Sequence, residues 1–431
     1  VVLPERRIRN PLDPRNPLSG VYIATMLFEL AEGGLRFLLP IQLDSRGVSV
    51  EGIGLVVAVF SFTSLISRGF VGGVFRYDRA RRLIIAAGIA SSLAFLLLPL
   101  GDSVTAYAAL MAVDGFGWGV ATTVLLAVVM TVTPDTMSSA AAMGWYVGFQ
   151  GIALALATTV AGLLAQWVGT QNAMFLLATI PVVAAVLISL RLPHRDVSLE
   201  PIAAAVDDGQ DEDVSPPRRF RRIRGGVTAT RRVLSGLPAA VWAAAIVAVY
   251  LNVMNGLLQS FFPLLGIAAG LTLAQVGTLS SIRVGISSLA RFGAGWIFDH
   301  VPARVLHLPL LTASAVTVMV LPWTATSYLA TLPFLAVNGI SRGLLRVTTG
   351  AAAMEALKGR QTGAGAAAAV MTGGLDVGKM IGPLLGGIVA GAFGLDVMFV
   401  VVPLAFLLLY AAFYLAAAWQ RRRSDRSALP T

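Results

Sequence analysis

Apolar residues along this chain gather into runs of about 20, the length an α-helix needs to cross a hydrocarbon core of about 30 Å. Between polar or Pro/Gly breaks the runs fall near 20–43, 52–75, 82–100, 104–131, 140–166 and 172–190. After a polar interval they resume near 239–266, 275–298, 305–323, 328–353, 362–391 and 395–419. The pattern predicts an all-α integral membrane protein with twelve transmembrane helices. The first run follows the polar stretch Pro4 to Pro17 and is succeeded by further spans, so it reads as a retained helix and not a cleaved signal peptide.

Charge then orients the helices. Placing both termini in the cytoplasm puts 24 of the 32 basic residues in inside segments and leaves Arg46 as the one basic residue of the outside loops. That asymmetry is what the positive-inside rule demands. It divides the chain into an N-terminal cytoplasmic segment (1–19), a six-helix bundle (20–190), a cytoplasmic linker (191–237), a second six-helix bundle (238–419) and a cytoplasmic tail (420–431). The linker carries an acidic run, Asp207 to Asp213, and a basic stretch, Arg218 to Arg232, around Pro216 and Pro217, the composition of a disordered segment.

Composition narrows the function classes. The 431 residues are 56% hydrophobic and only 13% charged, against about 25% charged in soluble domains. The net charge of +10 is explained by topology, so no nucleic-acid partner is expected. The chain has no cysteine and three scattered histidines, which leaves no thiolate or metal-ligand spacing and implies no cofactor. No phosphate-binding glycine loop and no Gly-x-Ser-x-Gly elbow is present, so the expectation is a non-enzyme whose energy comes from an ion or solute gradient. Only Lys358 and Lys379 are lysine among the basic residues, a bias that suggests a GC-rich prokaryotic genome and hence the inner (plasma) membrane.

Sliding the chain on itself by about 223 residues aligns Pro40 with Pro263, Gly47 with Gly270, Gly54 with Gly277, Arg68 with Arg291, Gly72 with Gly295 and Phe75 with Phe298. A shift of about 224 brings Gly115 and Gly119 onto Gly339 and Gly343. The halves read as two parallel six-helix pseudo-repeats, an arrangement that puts a binding site between them near the membrane midplane.

These features resemble the major facilitator superfamily over essentially the whole chain. Gly295, Ile297, Phe298, Asp299 and Arg304 resemble the family's Gly-x-Leu-Ala-Asp-Arg-x-Gly-Arg-Lys loop motif, with Pro302 in place of its second glycine. The first-half counterpart from Gly72 to Arg82 has Arg76 where Asp299 aligns and its acid at Asp78. Gly378, Gly382, Pro383, Gly386 and Gly387 resemble a Gly-x-x-x-Gly-Pro-x-x-Gly-Gly motif that drug antiporters of the family carry in span 5, whereas here it lies in span 11. Span 4 has Asp114 where the proton-coupling Arg-x-x-x-Gly-x-Gly motif has arginine. The resemblance implies a secondary transporter working by alternating access. It also implies gating or loop-motif roles for Arg68, Gly72, Asp78, Arg291, Gly295, Asp299, Gly382 and Pro383.

Charge inside hydrocarbon costs about 2.5–3.5 kcal/mol per central Arg, Lys or Asp, so each such residue is a site candidate. Glu29, Glu32 and Arg36 are spaced three and four apart and share one helix face. Their counterparts in span 7 are Asn252, Asn255 and Gln259, the same stripe without charge. Coupling to a proton gradient needs a carboxyl that loads and releases a proton, and Glu29, Glu32 and Asp114 are the candidates. Arg283, Arg342, Arg346 and Lys379 face only Asp376 in the interior of the second half.

Guanidinium groups hold carboxylate or phosphate through paired hydrogen bonds. The favoured substrate is therefore a small organic anion or zwitterion, with Arg36, Asn252, Asn255, Gln259, Arg283, Arg342, Arg346, Asp376 and Lys379 as cavity candidates. Trp118, Trp145 and Tyr146 are candidates for an apolar wall. The alternatives are proton-driven efflux of amphipathic drugs, and a non-transporting receptor or lipid-handling protein. The expected partners are a small-molecule substrate, protons and the lipid bilayer, with the protein acting as a monomer.

Overall fold

The computed structural model describes residues 12–13, 16–74, 77–132, 139–191, 239–300, 303–356 and 364–427. Twelve long helices form among them: α1 (Ser19–Ser45), α2 (Val50–Val74), α3 (Tyr77–Leu97), α4 (Val104–Val132), α5 (Ser139–Val168), α6 (Thr170–Arg191), α7 (Ala239–Ala268), α8 (Leu273–His300), α9 (Ala303–Met319), α10 (Tyr328–Ala356), α11 (Ala364–Phe393) and α12 (Leu395–Ser427). A short 3-10 turn, Leu98–Leu100, extends α3, and a helical turn, Leu321–Thr324, follows α9. The expected linker beyond Arg191, Arg76 and Pro302 lie outside the described residues, as do the side chains of Asp299 and Arg304.

Among the described residues, eight helices hold a window long and apolar enough to cross a membrane: α2, α3, α4, α5, α6, α7, α11 and α12. The others differ for a physical reason. α1 carries Glu29, Glu32 and Arg36, α8 carries Arg283 and Arg291, and α10 carries Arg342 and Arg346, while α9 has only 17 residues. Long outward-facing apolar side chains such as Phe62, Leu93, Leu163, Leu176, Ile388 and Leu408 are exposed, as expected where the solvent is lipid.

The helices pack by the repeat. In the first half α1 lies on α5 and α6, α2 on α4, and α3 on α4 and α6. In the second half α7 lies on α11 and α12, α8 on α10, and α9 on α10 and α12. Between the halves, α2 packs on α11 and α5 on α8, two contacts that exchange under the same symmetry.

The close approaches repeat too. A Cβ on Gly115 or Gly119 of α4 would strike α2 at Phe60 and Ser64, and one on Gly339 or Gly343 of α10 would strike α8 at Arg283 and Ser287. Gly47 and Gly270 both adopt left-handed φ, 74° and 96°, directly after α1 and α7. In both, the following residue donates across the helix end, Val48 to the Leu43 carbonyl and Leu271 to that of Gly266.

One apolar core joins the halves at the end where α1 finishes, with Phe37, Leu38 and Leu43 grouped with Leu257, Phe261 and Phe262 of α7. A second core, with Tyr22, Phe28, Val124 and Ile188, closes the opposite end of the first half by itself. The site lies between these two levels.

Candidate binding cavity

The carboxyl stripe of α1 points inward. Glu32 is 2% exposed, and its Oε1 accepts a hydrogen bond from Arg36 Nε at 2.7 Å. The Arg36 guanidinium carbon then sits over aromatic rings, 4.5 Å from the centroid of Phe60 on α2 and 4.9 Å from that of Trp118 on α4. Trp118 also faces Arg68 at 5.8 Å and Lys379 at 6.0 Å, so one indole is ringed by three cations from three helices. Asp114 is wholly buried one turn before Trp118, and neither of its carboxylate oxygens accepts a well-formed hydrogen bond. Its polar neighbours are the Glu32 carboxyl and the Ser91 hydroxyl.

Glu29 is held from α5: Gln150 Nε2 donates to its Oε1 at 3.1 Å and also reaches the Tyr146 hydroxyl, which in turn donates to the Thr122 carbonyl at 3.2 Å. Gln150 escaped the sequence reading. A lone amide in an apolar span was the available signal, since an unpaired polar group in lipid demands a partner.

The second half is arranged differently. Arg283 of α8 is 3% exposed, donates from Nη2 to Asn255 Oδ1 at 3.2 Å, and among the described residues leaves Nη1 without a partner. The 223-residue shift carries Glu32 onto Asn255 and Phe60 onto Arg283. So where the first half has an arginine stacked on a phenylalanine and neutralised by a glutamate, the second has an arginine facing an amide. Arg291 and Arg342 share the Ser287 hydroxyl at 3.5 Å each, and Arg346 is exposed. Among the described residues none of these four arginines pairs with a carboxylate.

Other sequence candidates are drawn elsewhere. Asn252 donates to the Leu375 carbonyl at 2.7 Å, tying α7 to α11. Asp376 accepts from Arg68 at 3.0 and 3.2 Å and lies 3.5 Å from Lys379 Nζ, so it joins the halves and neutralises two cations. Gly382 presses on Val253 of α7, and Pro383 meets Gly54 of α2 and Gly256 of α7. Gly72 and Gly295 fall within α2 and α8, and Asp78 in the first turn of α3. Trp145 is exposed, whereas Trp118 and Tyr146 are buried.

Among the described residues, two cavities between the halves share Arg36 and Gln259 as a common wall. The smaller is lined by Thr158, Ser280 and Arg283, with Leu154, Leu258 and Val284 as its apolar wall. The larger is lined by Asn255, Ser260 and Lys379, with Leu39, Val57, Phe60 and Met111 as its apolar wall. A ligand here would meet an unpaired guanidinium nitrogen, amides and hydroxyls set in apolar walls, the surroundings of a small-molecule site. Beside Arg283 the halves are pinned by hydroxyls: Ser281 Oγ contacts Thr158 and Thr159 Oγ1 at 2.7 Å each and accepts from the Thr159 N–H at 2.9 Å. Among the described residues no group of acidic and imidazole side chains could hold a metal ion.

The family model of the Major Facilitator Superfamily matches residues 21–375. A bacterial homolog of the human lysosomal transporter Spinster, in an inward-facing and unoccupied conformation, superposes with a TM-score of 0.73 at 14% identity over 94% of this chain and 96% of that one. The same homolog in an inward-facing and occupied conformation gives 0.69 at 14% identity over 93% and 96%. The nucleoside transporter NupG gives 0.70 at 11% identity over 93% and 99%. No curated protein matches the chain by sequence.

Proposed function

The chain belongs to the Major Facilitator Superfamily, and from that premise we propose that it is a proton-coupled carrier of a small organic anion or zwitterion in a prokaryotic plasma membrane. It is a multi-pass membrane protein of a transporter family, and its substrate is a small molecule. In this reading both termini are cytoplasmic, the protein works as a monomer, and the two halves rock about the cavities flanking Arg36 and Gln259.

The single observation that carries the substrate class is Arg283. A guanidinium buried in apolar surroundings with one nitrogen unpaired costs about 1–3 kcal/mol for the missing hydrogen bond. A carboxylate or phosphate entering the smaller cavity would supply that bond. Support for alternating access comes from the interlocks at the Gly47 and Gly270 end: Gly54 against Pro383 and Gly387, and Gly277 against Thr158 and Gly162. With the termini inside, that end is the outer one, and its tight closure fits a carrier open toward the cytoplasm. The structural neighbours, a Spinster homolog and a nucleoside transporter, make solute movement the common theme, while identities of 14% and 11% carry the fold alone.

The test is uptake or exchange in proteoliposomes under an imposed pH gradient, with lactate, benzoate, glutamate and a cationic dye as solutes. The reading requires movement of an anion or zwitterion whose affinity Arg283→Ala lowers about 10- to 150-fold. If only the cationic dye moves, and Arg283→Ala is without effect, drug efflux through the apolar wall of Leu39, Val57, Phe60 and Met111 replaces it.

A further inference from the structure

Beyond the cavity reading above, we infer that Arg291 and Arg342, with the Ser287 hydroxyl between them, form a second oxyanion site that takes the carboxylate or phosphate group of a ligand. The site lies between α8 and α10, and neither arginine lines the two cavities at Arg36. Arg291 follows Arg283 by eight residues, a helical rise that sets the site about 12 Å along α8 from Arg283, away from the Gly270 end.

Close packing brings the two guanidinium groups together. A Cβ on Gly343 would strike the Ser287 carbonyl, so α10 approaches α8 closely enough for the residue beside that glycine, Arg342, to meet the serine. Arg342 Nη1 and Arg291 Nη2 both reach Ser287 Oγ at 3.5 Å, the outer limit of a hydrogen bond. Ser287 is wholly buried, Arg342 is 9% exposed, and Arg291 Nε is buried without a partner among the described residues. One neutral hydroxyl cannot balance two cations, and among the described ion pairs no carboxylate reaches either. Like charges held beside one another in apolar surroundings repel, and a single bound oxyanion replaces that repulsion with charge-assisted hydrogen bonds to both.

The repeat marks the difference between the halves. Gly54 meets Pro383 and Gly387 as Gly277 meets Thr158 and Gly162, an offset of about 225 residues between α11 and α5. The same offset carries Asp376 onto Gly151, which lies against Ser288 of α8. Arg68, the counterpart of Arg291, therefore has an acid opposite it, whereas Arg291 has a glycine. The shift of about 224 that aligns Gly115 with Gly339 carries Trp118 onto Arg342, so the second half has a cation where the first has an indole. One place in the fold thus has an acid fewer and a cation more. A bound anion supplies there the charge that Asp376 supplies to Arg68. Arg346, one turn beyond Arg342, is exposed and gives the anion a positively charged approach. The chemistry is the same for a free solute and for the headgroup phosphate of an anionic lipid.

The experiment uses the full chain carrying Arg283→Ala, which weakens the first cavity, in a neutral detergent free of lipid. Benzoate or inorganic phosphate is titrated by calorimetry, and thermal unfolding is compared with chloride at equal ionic strength. A site should remain, and adding Arg291→Gln or Arg342→Gln should lower its affinity by about tenfold or more, with Arg342→Lys in between. In chloride alone, Arg342→Gln should unfold no lower than its parent, since it removes one of two repelling charges. Unfolding well below the parent would make Arg342 a structural tie and overturn the proposal. Phosphatidylglycerol, added in place of the soluble anions, separates the sources. Stabilisation by the lipid alone, lost in Arg342→Gln, upholds the site and assigns it a headgroup; stabilisation by benzoate or phosphate, lost in the same variant, upholds it and assigns it a solute. Binding unchanged by both glutamine variants, or no response to any of these anions in the Arg283→Ala chain, overturns the proposal, while benzoate binding that Arg283→Ala weakens in wild type leaves the cavity reading standing. Benzoate binding equal in wild type and Arg283→Ala, but weakened by Arg342→Gln, overturns the cavity reading and upholds this site.

Discussion

Arg68 of α2 reaches across to Asp376 of α11, its Nη1 lying 3.0 and 3.2 Å from the two carboxylate oxygens, 308 positions along the chain. The pair ties the halves together beside Trp118, and Lys379 leans on the same carboxylate from one turn along α11. One acid therefore serves two cations. Replacing Asp376 with Ala should lower the apparent melting temperature in detergent more than replacing Arg68 with Ala. The Arg68 side chain is 34% exposed, so a double-mutant cycle on the pair should return a coupling of about 1 kcal/mol, well short of a fully buried pair.

Gly54 and Gly277 stand at equivalent places in α2 and α8, each against a backbone carbonyl of the other half, Pro383 and Thr158. A side chain at either position forces the helices apart, at about 1–3 kcal/mol for an overpacked contact. Gly54→Val should shift the protein toward the state open at this end. The absence of native cysteine makes the measurement clean: a single cysteine at Ser61, on the larger cavity, should react faster with a charged thiol reagent applied from the Gly54 side.

Among the described residues Arg283 donates to the Asn255 amide and pairs with no carboxylate, so its substitution should leave little strain behind and act on binding. Loss of a charge-assisted hydrogen bond worth about 1.5–3 kcal/mol predicts a fall in anion affinity of about 10- to 150-fold in Arg283→Ala. Arg283→Lys should recover part of it, since the charge returns without the fork. Titration calorimetry on both variants, with thermal unfolding as a control, checks the order wild type, Lys, Ala.

Asn338 of α10 provides the contrast of a purely structural polar residue. Its amide donates to the Ser314 carbonyl at 3.2 Å, the Ser314 hydroxyl at 3.4 Å and the Thr317 hydroxyl at 3.3 Å, binding α10 to α9 away from the cavities. Asn338→Leu should destabilise the protein by about 1–3 kcal/mol through the stranded acceptors. The KM for transport should stay unchanged, because no cavity residue loses a partner.

Much of the fold was legible in the chain. The run expected at 104–131 is α4, Val104–Val132, and that at 239–266 is α7, Ala239–Ala268. Helix ends followed the sequence because hydrocarbon tolerates only internally bonded backbone, so each long apolar run had one solution. The last run was expected to end at 419, but α12 continues to Ser427, where polar residues outside hydrocarbon extend the helix without an apolar signature. The repeat was legible as well: Gly47 and Gly270, aligned by the shift, both take left-handed φ, and Gly115 and Gly339 both lie against the neighbouring helix's backbone.

The site was legible only as an inventory. Interior charges named Glu29, Glu32, Arg36, Asp114, Arg283 and Lys379 as the residues that need explaining, since the cost of a charge in lipid belongs to each residue and can be read one position at a time. The pairing of Asp376 with Arg68 as well as Lys379, the support of Glu29 by Gln150, the unpaired Nη1 of Arg283 and the common wall of Arg36 and Gln259 were decided by tertiary structure. Membrane insertion depends on local sums of transfer free energy, which sequence determines by itself. Pairing depends on which charged side-chain atoms come within about 4 Å, and that distance is set by the packing of helices hundreds of positions apart.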